Sequence, residues 1–306
     1  MKKKSILLTI CGAMVAIAAG VFAVCANHLS VGENYCYYNQ TLVFNANEKV
    51  LEGKEVVGFY NYTDQILDKA YLHLYPNAFK EGNKAKVVSL ANEVKAYPNG
   101  KSYGQIDIES VCCGAESLTY EIGGEDENIL IVDLNQELYP QDIIVFEIGF
   151  STKLANINHR LGYGNNTINL CNYYPILCIY ENGEYMTDLY HSNGDPFYSK
   201  IANYNVELTY PKEYTLASSG EQNLSEDGEY IKAKISAKKV RDFAMVLSDK
   251  FTTLCDTYKD TKLNYYYYSD STPTETMEVI KNVLKMNERY GKYPYSTLTV
   301  CEANFV

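Results

Sequence analysis

The sequence predicts a mainly β protein, a sandwich or saddle of strands, followed by the start of an α/β unit. From Thr41 onward, short β-favouring runs alternate with turn residues, and no long amphipathic helix is recognisable between residues 41 and 250. A strand–helix–strand pattern begins after residue 255. The chain has 30 Tyr and no Trp. This composition suits half-buried strands, because Tyr combines a large ring with a polar end.

The clearest predicted strand spans residues 204–210, where large and polar side chains alternate. Tyr204, Val206, Leu208 and Tyr210 share one face, and polar residues occupy the other. A period of two is typical of a half-buried strand. Other β-favouring runs predict strands at residues 42–44, 56–60, 70–75, 129–134, 143–150, 230–235, 243–247 and 263–268.

A helix is predicted after residue 271. Thr272 is the predicted N-cap, and Pro273 lies in the first turn, where proline is tolerated. Gly291 ends the helix, and a strand at residues 296–300 follows it. The three- and four-residue spacing of an apolar stripe supports the helix: Met277, Ile280, Val283, Leu284 and Tyr290.

The N-terminus predicts export. Three lysines precede an uncharged, mostly apolar run at residues 5–26, which is typical of a secretory signal peptide or a membrane anchor. Cleaved signal and uncleaved anchor both remain open, and lipidation of Cys25 is a third alternative with a poorer sequence match. Each alternative places the rest of the chain outside the cytoplasm, because the lysines remain inside. We expect a leader at 1–26, a tether at 27–40, a β domain at 41–252 and an α/β unit at 253–306.

The charge and cysteine content exclude some functions. The net charge is −11, and the only charges in residues 1–32 are the three lysines, so the remainder is more acidic still. Such a chain is not expected to bind nucleic acid, since phosphate affinity comes from Lys and Arg. Seven cysteines lie beyond the leader, an odd number that prevents complete pairing within one chain. The adjacent Cys112 and Cys113 are a weak metal or redox signal, and free thiols are the simpler interpretation.

Catalytic motifs are absent from the sequence. A zinc peptidase helix carries H-E-x-x-H, in which two His bind the metal and the Glu activates water. The four histidines, at positions 28, 73, 159 and 191, are each more than five residues from the next. His159, His191 and Asp195 share one polar stretch and could assemble in three dimensions, but isolated histidines are more often structural. No G-x-S-x-G elbow and no phosphate-binding glycine loop is present.

Several segments together resemble one family, the aminopeptidase N-like zinc metallopeptidases, or gluzincin aminopeptidases. They occur in the family's order from about Thr41 to the end of the chain, and their agreement is stronger than any one of them. The segments are Tyr71–Phe79, Arg160–Gly164 with Asn172–Leu177, Gly194–Ser199 with Asn205–Lys212, Val240–Ala244, and Tyr290–Tyr295.

The resemblance implies a fold and an activity. Relatives pack an N-terminal β-saddle domain over a thermolysin-like catalytic domain, and they use zinc to remove N-terminal residues from peptides. The family's G-x-M-E-N or G-G-M-E-Y-P substrate loop would follow Val306, and the zinc helix would come later. The chain is therefore expected to be an N-terminal fragment that binds no zinc and is inactive alone, with no catalytic residue of its own.

One binding role is implied by the same resemblance. In relatives, a polar residue of the saddle domain helps to hold the free amino end of the substrate. Asn172 lies in the corresponding segment, and Tyr174 stands where relatives often have Trp. The alternative is that Asn172 serves a turn and Tyr174 packs in the core. At the level of the whole chain, the alternative function is a non-catalytic, membrane-anchored β domain that binds peptides or a partner protein.

Overall fold

The computed structural model describes residues 34–193 and 197–306, and Tyr35–Val306 forms one compact unit. Strands dominate the described residues, which confirms the mainly β prediction. None of the helices in these two ranges is long and apolar enough to cross a membrane. The predicted leader at 1–26 and residues 27–33 of the predicted tether lie outside the described residues.

The described residues form 21 strands, which are numbered here along the chain. They are β1 (Cys36–Asn45), β2 (Val50–Tyr60), β3 (Leu67–His73), β4 (Gln105–Cys113), β5 (Glu116–Ser117), β6 (Tyr120–Gly123), β7 (Ile129–Leu138), β8 (Ile143–Lys153), β9 (Leu161–Tyr163), β10 (Ile168–Cys171), β11 (Ile176–Leu177), β12 (Tyr180–Glu181), β13 (Glu184–Tyr185), β14 (Ala202–Pro211), β15 (Thr215–Ser218), β16 (Glu221–Asp227), β17 (Tyr230–Val240), β18 (Ala244–Ser248), β19 (Thr252–Tyr258), β20 (Thr261–Tyr267) and β21 (Thr297–Cys301).

Helices are few. Two short 3₁₀ helices span Tyr75–Phe79 and Leu90–Asn92, and the four-residue helix α1 spans Glu93–Ala96. Helix α2, at Pro273–Asn287, is the long one. The expectation of no long helix between residues 41 and 250 is therefore confirmed for the part of that range that the structure describes.

The largest sheet has eight strands in the order β16-β17-β14-β1-β2-β8-β4-β5. Within it, β1 pairs parallel with β14, and Tyr38 lies opposite Tyr204. Strand β1 begins at Cys36, inside the range predicted as a tether. The predicted alternation of β14 is confirmed, since Tyr204, Val206, Leu208 and Tyr210 are each 1% exposed. We call the strands from Cys36 to Ser248 the β region.

Three smaller sheets complete the β region. Two have four strands, in the orders β15-β18-β10-β9 and β11-β3-β7-β6, and β12 pairs with β13 alone. The core between the layers is rich in aromatic rings. Tyr204 stacks on Tyr38 at 5.0 Å between ring centroids and on Phe243 at 5.5 Å. This ring column connects the largest sheet to the start of β18.

Strands β19, β20 and β21 form a separate sheet that helix α2 covers, and we call Thr252–Cys301 the C-terminal unit. β20 pairs antiparallel with β19 and parallel with β21. This is the predicted strand–helix–strand arrangement. The core of the unit consists of five buried residues, Leu263, Tyr265, Met277, Ile280 and Leu284.

Two details of helix α2 differ from the prediction. Thr272 occupies the N-cap position, but its side chain makes no capping hydrogen bond. The side chain that holds this end of the helix is Asp270, which accepts hydrogen bonds from the Thr272 amide at 2.8 Å and from the Thr276 hydroxyl at 2.6 Å. The predicted apolar stripe is also divided, because Val283 and Tyr290 are 51% and 77% exposed.

The C-terminal unit packs on the β region through a small contact. Tyr266 is buried with Ala217 and Val246, and Phe251 packs beside them. The Gln222 carboxamide donates a hydrogen bond to the Tyr266 hydroxyl at 2.9 Å. Hydrogen bonds beside β21 add to this contact: the Thr297 hydroxyl donates to the Gly220 carbonyl oxygen at 3.2 Å, and the Tyr295 hydroxyl donates to the Lys239 carbonyl oxygen at 3.0 Å.

Candidate functional site

The segment that carries the family resemblance at residues 160–174 begins with a tight hairpin. Gly162 has a φ of +144°, and a Cβ atom there would lie 2.5 Å from a methyl group of Ile157. A Cβ atom on Gly164 would lie 2.5 Å from the Asn158 side chain. Only glycine allows this close approach of the backbone. The two glycines thereby set the position of Arg160, which lies just before β9.

Asn172 follows β10 in the left-handed region, with a φ of +55°. Its side chain is buried, and Nδ2 donates hydrogen bonds to both carboxylate oxygens of Asp242 at 3.1 Å. Oδ1 of Asn172 finds no hydrogen-bond partner among the described residues. Asp242 also accepts a hydrogen bond from the Phe243 amide at 2.9 Å. The carboxamide is therefore fixed at one end and leaves an acceptor at the other.

Tyr174 lies in the aromatic core and has no exposed surface. Its ring meets those of Tyr38, Tyr173 and Tyr204 edge-on, at centroid distances of 5.6, 4.9 and 6.0 Å. Burial raises the pKa of its hydroxyl well above the ordinary value, so the group stays neutral. The residue contributes packing in the aromatic core, two positions after Asn172 in the chain.

His159 and Arg160 form the next part of the site. Nε2 of His159 lies 3.1 Å from the Val87 carbonyl oxygen and 3.2 Å from the Tyr190 hydroxyl. Burial, with the nearby Arg160 charge, lowers the pKa of His159 to about 4, so its ring is neutral at pH 7. The Arg160 guanidinium carbon lies 5.2 Å from the ring centroid of Phe197, an arrangement typical of a cation–π contact.

The last residues of the chain dock beside this hairpin. Oδ1 of Asn304 accepts hydrogen bonds from the Asn166 and Thr167 amides at 3.0 and 3.1 Å. The Asn169 side chain donates to the Asn304 carbonyl oxygen at 2.8 Å. The ring of Phe305 then lies 5.6 Å from the Arg160 guanidinium carbon. Segments more than 130 residues apart in sequence therefore meet at Arg160.

A narrow cleft separates these groups, and it leaves no space for a water-sized molecule in this conformation. Its wall is mostly aromatic, with Arg160 and Asn172 as polar members. Such a surface would hold an apolar side chain against the rings only in a wider conformation, with the amide oxygen of Asn172 as the hydrogen-bond acceptor. The lining residues are Tyr75, Phe79, His159, Arg160, Leu161, Cys171, Asn172, Tyr190 and Phe197.

The histidines do not assemble a metal site among the residues that the structure describes, where no group of three or more His, Cys, Asp or Glu side chains could hold an ion. His73 is buried against Tyr75, with ring centroids 4.6 Å apart, and burial lowers its pKa to about 4. His191 is exposed, and Asp195 lies outside the described residues. The donor set in residues 34–193 and 197–306 therefore does not fit a catalytic zinc.

The cysteines of the described residues are all free thiols. Burial raises the pKa of Cys171 to about 12 and that of Cys36 to about 11, so both remain protonated. Cys112 and Cys113 lie on β4, and the Cys113 thiol donates to the Val145 carbonyl oxygen at 3.4 Å. Nothing in their geometry indicates a metal or a reactive thiolate.

Sequence reasoning identified Asn172 and Tyr174 but assigned no role to Asp242, Asn169 or Asn304. Asp242 lies within the Val240–Ala244 segment used for the resemblance, so its position was noticed and its partnership with Asn172 was not. Asn169 and Asn304 could not be recognised as part of the site from the sequence, because polar residues near turns serve many structural purposes. Their hydrogen bonds join segments that are adjacent only in the folded chain.

No protein-family model and no curated protein matches this chain. Solved structures do match it. An M1 zinc metallopeptidase from Deinococcus radiodurans superposes with a TM-score of 0.54 over 90% of this chain, at 11% identity. A mutant of a two-domain M1 zinc metallopeptidase bound to L-tryptophan gives a TM-score of 0.56, also at 11% identity. A mutant of the M1 zinc metallopeptidase from Deinococcus radiodurans, bound to a Tyr-Ser-Ala substrate, gives a TM-score of 0.52 at 12% identity.

These similarities confirm the predicted relationship at the level of fold. They extend over 89–90% of this chain, and therefore over both the β region and the C-terminal unit. The chain spans 57–58% of the length of these solved structures.

Proposed function

We propose that this chain is the N-terminal part of a zinc-dependent aminopeptidase that removes N-terminal residues from peptides. The observation that carries the proposal is the superposition on M1 zinc metallopeptidases across 90% of the chain. Two of the similar structures hold an amino acid or a short peptide, which is the expected ligand class for such an enzyme. The 253–306 segment would then open the catalytic domain, and the 41–252 segment would form the β-saddle domain.

In this proposal the chain supplies substrate positioning and no hydrolytic chemistry. Its described residues offer no ligand set for zinc, and the sequence carries no H-E-x-x-H motif. The metal and the water that it activates would be held by residues outside this chain. We therefore expect the 306-residue chain alone to be inactive.

Asn172 is the proposed contact to the substrate's amino end. Its Nδ2 is held by Asp242, so Oδ1 remains as an acceptor at the cleft wall. An α-ammonium group could donate to this oxygen, and the Asp242 carboxylate would stabilise the positive charge nearby. Tyr174 is proposed to act through packing, because its ring is fully buried in the aromatic core. Binding requires the cleft to widen.

The site is proposed to lie outside the cytoplasm, in a protein that is membrane-anchored or secreted. The support is the three lysines followed by the apolar run at residues 5–26. A protease-protection assay on intact cells or spheroplasts tests the orientation. Digestion of the β region by external protease is the expected result, and complete protection would overturn it.

The first test of the enzyme proposal is the DNA that follows the codon for Val306. We expect a reading frame, in any register, that encodes a G-G-M-E-Y-P-like segment and then H-E-x-x-H. A stop codon with no such frame nearby would contradict the proposal and favour the alternative, a non-catalytic β domain that binds peptides or a partner.

The second test uses the 306-residue chain itself. Purified chain is expected to show no turnover of aminoacyl-coumarin substrates and no stoichiometric zinc by elemental analysis. Turnover together with one bound zinc per chain would contradict the assignment of the chemistry to residues outside it.

The third test uses the longer product, if the DNA encodes one. Asn172→Ala is expected to raise KM about 10-fold with a smaller change in kcat, which corresponds to about 1.4 kcal/mol of lost ground-state binding. Asn205→Ala, at an exposed position of β14, is the matched control and should leave KM unchanged. Equal KM values for the two variants would remove Asn172 from the proposed site.

A further inference from the structure

The turn between β9 and β10, at residues 164–167, holds the side chain of Asn304. Oδ1 of Asn304 accepts hydrogen bonds from the Asn166 and Thr167 amides at 3.0 and 3.1 Å. The Asn304 amide in turn donates to the Thr167 hydroxyl at 3.0 Å. One residue near the end of the chain therefore satisfies two backbone donors of a distant turn. We call this set of contacts the Asn304 dock.

The turn is shaped to receive this side chain. A Cβ atom on Gly164 would lie 3.1 Å from both Cβ and Cγ of Asn304, which is closer than carbon atoms ordinarily pack. From another direction, the Lys250 amino group donates hydrogen bonds to the Asn165 carbonyl oxygen at 2.6 Å and to Oδ1 of Asn166 at 2.8 Å. The turn is thus also held by the residues that follow β18, and glycine at position 164 leaves the room that Asn304 occupies.

Asn169 connects the Asn304 dock to the cleft. Its Nδ2 donates one hydrogen bond to the Asn304 carbonyl oxygen at 2.8 Å and another to the His159 carbonyl oxygen at 2.7 Å. Asn169 is buried, with 3% of its surface exposed. His159 and the next residue, Arg160, both line the cleft. One buried carboxamide therefore fixes the C-terminal segment and the backbone of the cleft wall relative to each other.

Phe305 adds a second connection to the same wall. Its ring centroid lies 5.6 Å from the Arg160 guanidinium carbon and 5.9 Å from the ring centroid of His159. The ring is 54% exposed, so burial alone does not hold it there. Because Phe305 directly follows Asn304, the hydrogen bonds of the Asn304 dock determine where this ring lies.

We propose that Asn304 is a positioning residue of the candidate site, whose dock holds residues 304–306 and the cleft wall at His159 and Arg160 in one fixed arrangement. The proposal rests on the proposed function, in which the catalytic part of the enzyme would continue from residue 306 and therefore from this dock. Asn304 acts through placement and not through contact with the substrate. Its loss should affect both substrate binding and turnover, because small displacements of site groups slow a positioned reaction.

The first experiment measures the Asn304 dock in the 306-residue chain, purified in a mild non-ionic detergent. Asn304→Leu keeps a similar size but removes the acceptor oxygen, whereas Asn304→Asp keeps an acceptor. Exchange of the Asn166 and Thr167 amides should become about 10-fold faster in Asn304→Leu, the factor that corresponds to one ordinary hydrogen bond. Asn304→Asp should exchange as wild type does, and so should the control Asn223→Ala, at an exposed position of β16. Wild-type exchange in Asn304→Leu would overturn the proposal.

The second experiment measures the connection between the Asn304 dock and the cleft wall in the same chain. The NMR signals of the His159 ring, assigned with His159→Gln, should shift in Asn304→Leu because the Phe305 ring leaves its place. Asn304→Asp should retain the wild-type signals. Circular dichroism of every variant checks that the chain remains folded. Unchanged His159 signals in a folded Asn304→Leu chain would overturn the connection and the positioning role with it.

The third experiment uses the longer product that the proposed function requires. Asn304→Leu should lower kcat/KM about 10-fold through both a lower kcat and a higher KM, unlike Asn172→Ala, which should act mainly on KM. Asn304→Asp should keep most of the wild-type activity. Full activity of Asn304→Leu in a working aminopeptidase would overturn the positioning role alone. A longer product without aminopeptidase activity, or no longer product at all, would overturn the proposed function and the catalytic role together, while the exchange experiment would still show whether the dock exists.

Discussion

The β region and the C-terminal unit differ greatly in the size of their hydrophobic cores. The twelve largest fully buried side chains among the described residues all lie between Leu42 and Phe243, within the β region. The C-terminal unit has five buried core residues and one covering helix. Hydrophobic stabilisation grows with the apolar area removed from water. The β region can therefore be stable by itself, whereas the C-terminal unit gains much less hydrophobic stabilisation from its own core.

This difference implies a one-way dependence of stability: the C-terminal unit depends on the β region, and the β region does not depend on the C-terminal unit. The C-terminal unit gains part of its burial from the β region, through Tyr266 against Ala217 and Val246. The β region gains little in return, because its aromatic core is complete without that contact. We therefore expect the C-terminal unit to open first and the β region to unfold only in the global transition.

The largest expected effect comes from a cavity in the core of the β region. Phe150 has no exposed surface, and Phe150→Ala should cost about 4 kcal/mol of unfolding free energy. Hydrogen exchange should accelerate in both parts, because the C-terminal unit depends on the surface beneath it. Val43→Ala, at a half-exposed position of β1, is the control. Exchange that accelerates in the β region alone would contradict the one-way dependence.

A cavity in the C-terminal unit should give a smaller and local effect. Leu263 is 1% exposed in a core of five residues, and Leu263→Ala should cost about 3 kcal/mol. Exchange should accelerate in β19–β21 and α2, with the β region protected as in wild type. Thr253→Ala, exposed on β19, should change neither part. Loss of protection across β1–β18 would show that the two parts unfold as one.

The stability of the β region should depend on pH, because Glu55 is completely buried there. Burial raises its pKa well above the ordinary value, although a hydrogen bond from Gln40 at 3.0 Å acts in the opposite sense. Because the pKa of Glu55 is higher in the folded chain than in the unfolded chain, its favourable contribution to the free energy of unfolding is fully present below the unfolded pKa. It is lost as the pH rises toward the folded pKa, at up to about 1.4 kcal/mol per pH unit.

The variant Glu55→Gln removes this titration. It should be more stable than wild type at pH 8, with the difference shrinking toward pH 4.5, as measured by urea unfolding across that range. The control is Glu52→Gln, an exposed residue of the same strand, which should keep the wild-type slope. Parallel pH profiles for wild type and Glu55→Gln would mean that Glu55 is ionised in the folded chain.

The smallest expected effect concerns the contact between the two parts. Gln222→Leu removes the hydrogen bond to Tyr266 and should cost about 1 kcal/mol. Local exchange should accelerate in β19–β21 only. Ser225→Ala, on the same edge strand β16, serves as the matched control. An unchanged exchange rate in β20 would mean that the Gln222–Tyr266 hydrogen bond does not help to hold the C-terminal unit in place.

Much of the secondary structure could be predicted because the patterns are local. The alternation at Tyr204–Tyr210 predicts β14, since side chains on a strand point to opposite faces in turn. The start of α2 at Pro273 and the N-cap position of Thr272 were both predicted correctly. The preference of Thr for N-cap positions did not reveal the side-chain hydrogen bonds at this end, which Asp270 accepts from outside the helix.

The candidate site was predictable only in part. Asn172 was identified through a resemblance, and its location beside Asp242 adds a physical reason to keep it as a proposal. The end of the chain was expected to lead toward the substrate loop, but its hydrogen bonds to Thr167 and Asn169 had no sequence signal. Contacts between distant segments depend on the final packing, and a single sequence does not encode them as a local pattern.

The sequence by itself determined the mainly β class, the strand–helix–strand ending, the acidic character and the lack of a zinc-helix motif, because composition and short periodicities express these directly. The tertiary structure decided the parallel pairing of β1 with β14, the burial of Tyr174, the contact of Asn172 with Asp242 and the division of the α2 stripe. Each of these depends on which segments meet in space. A helix shows one periodic stripe in its sequence, and only its packing decides which residues are buried and which remain exposed.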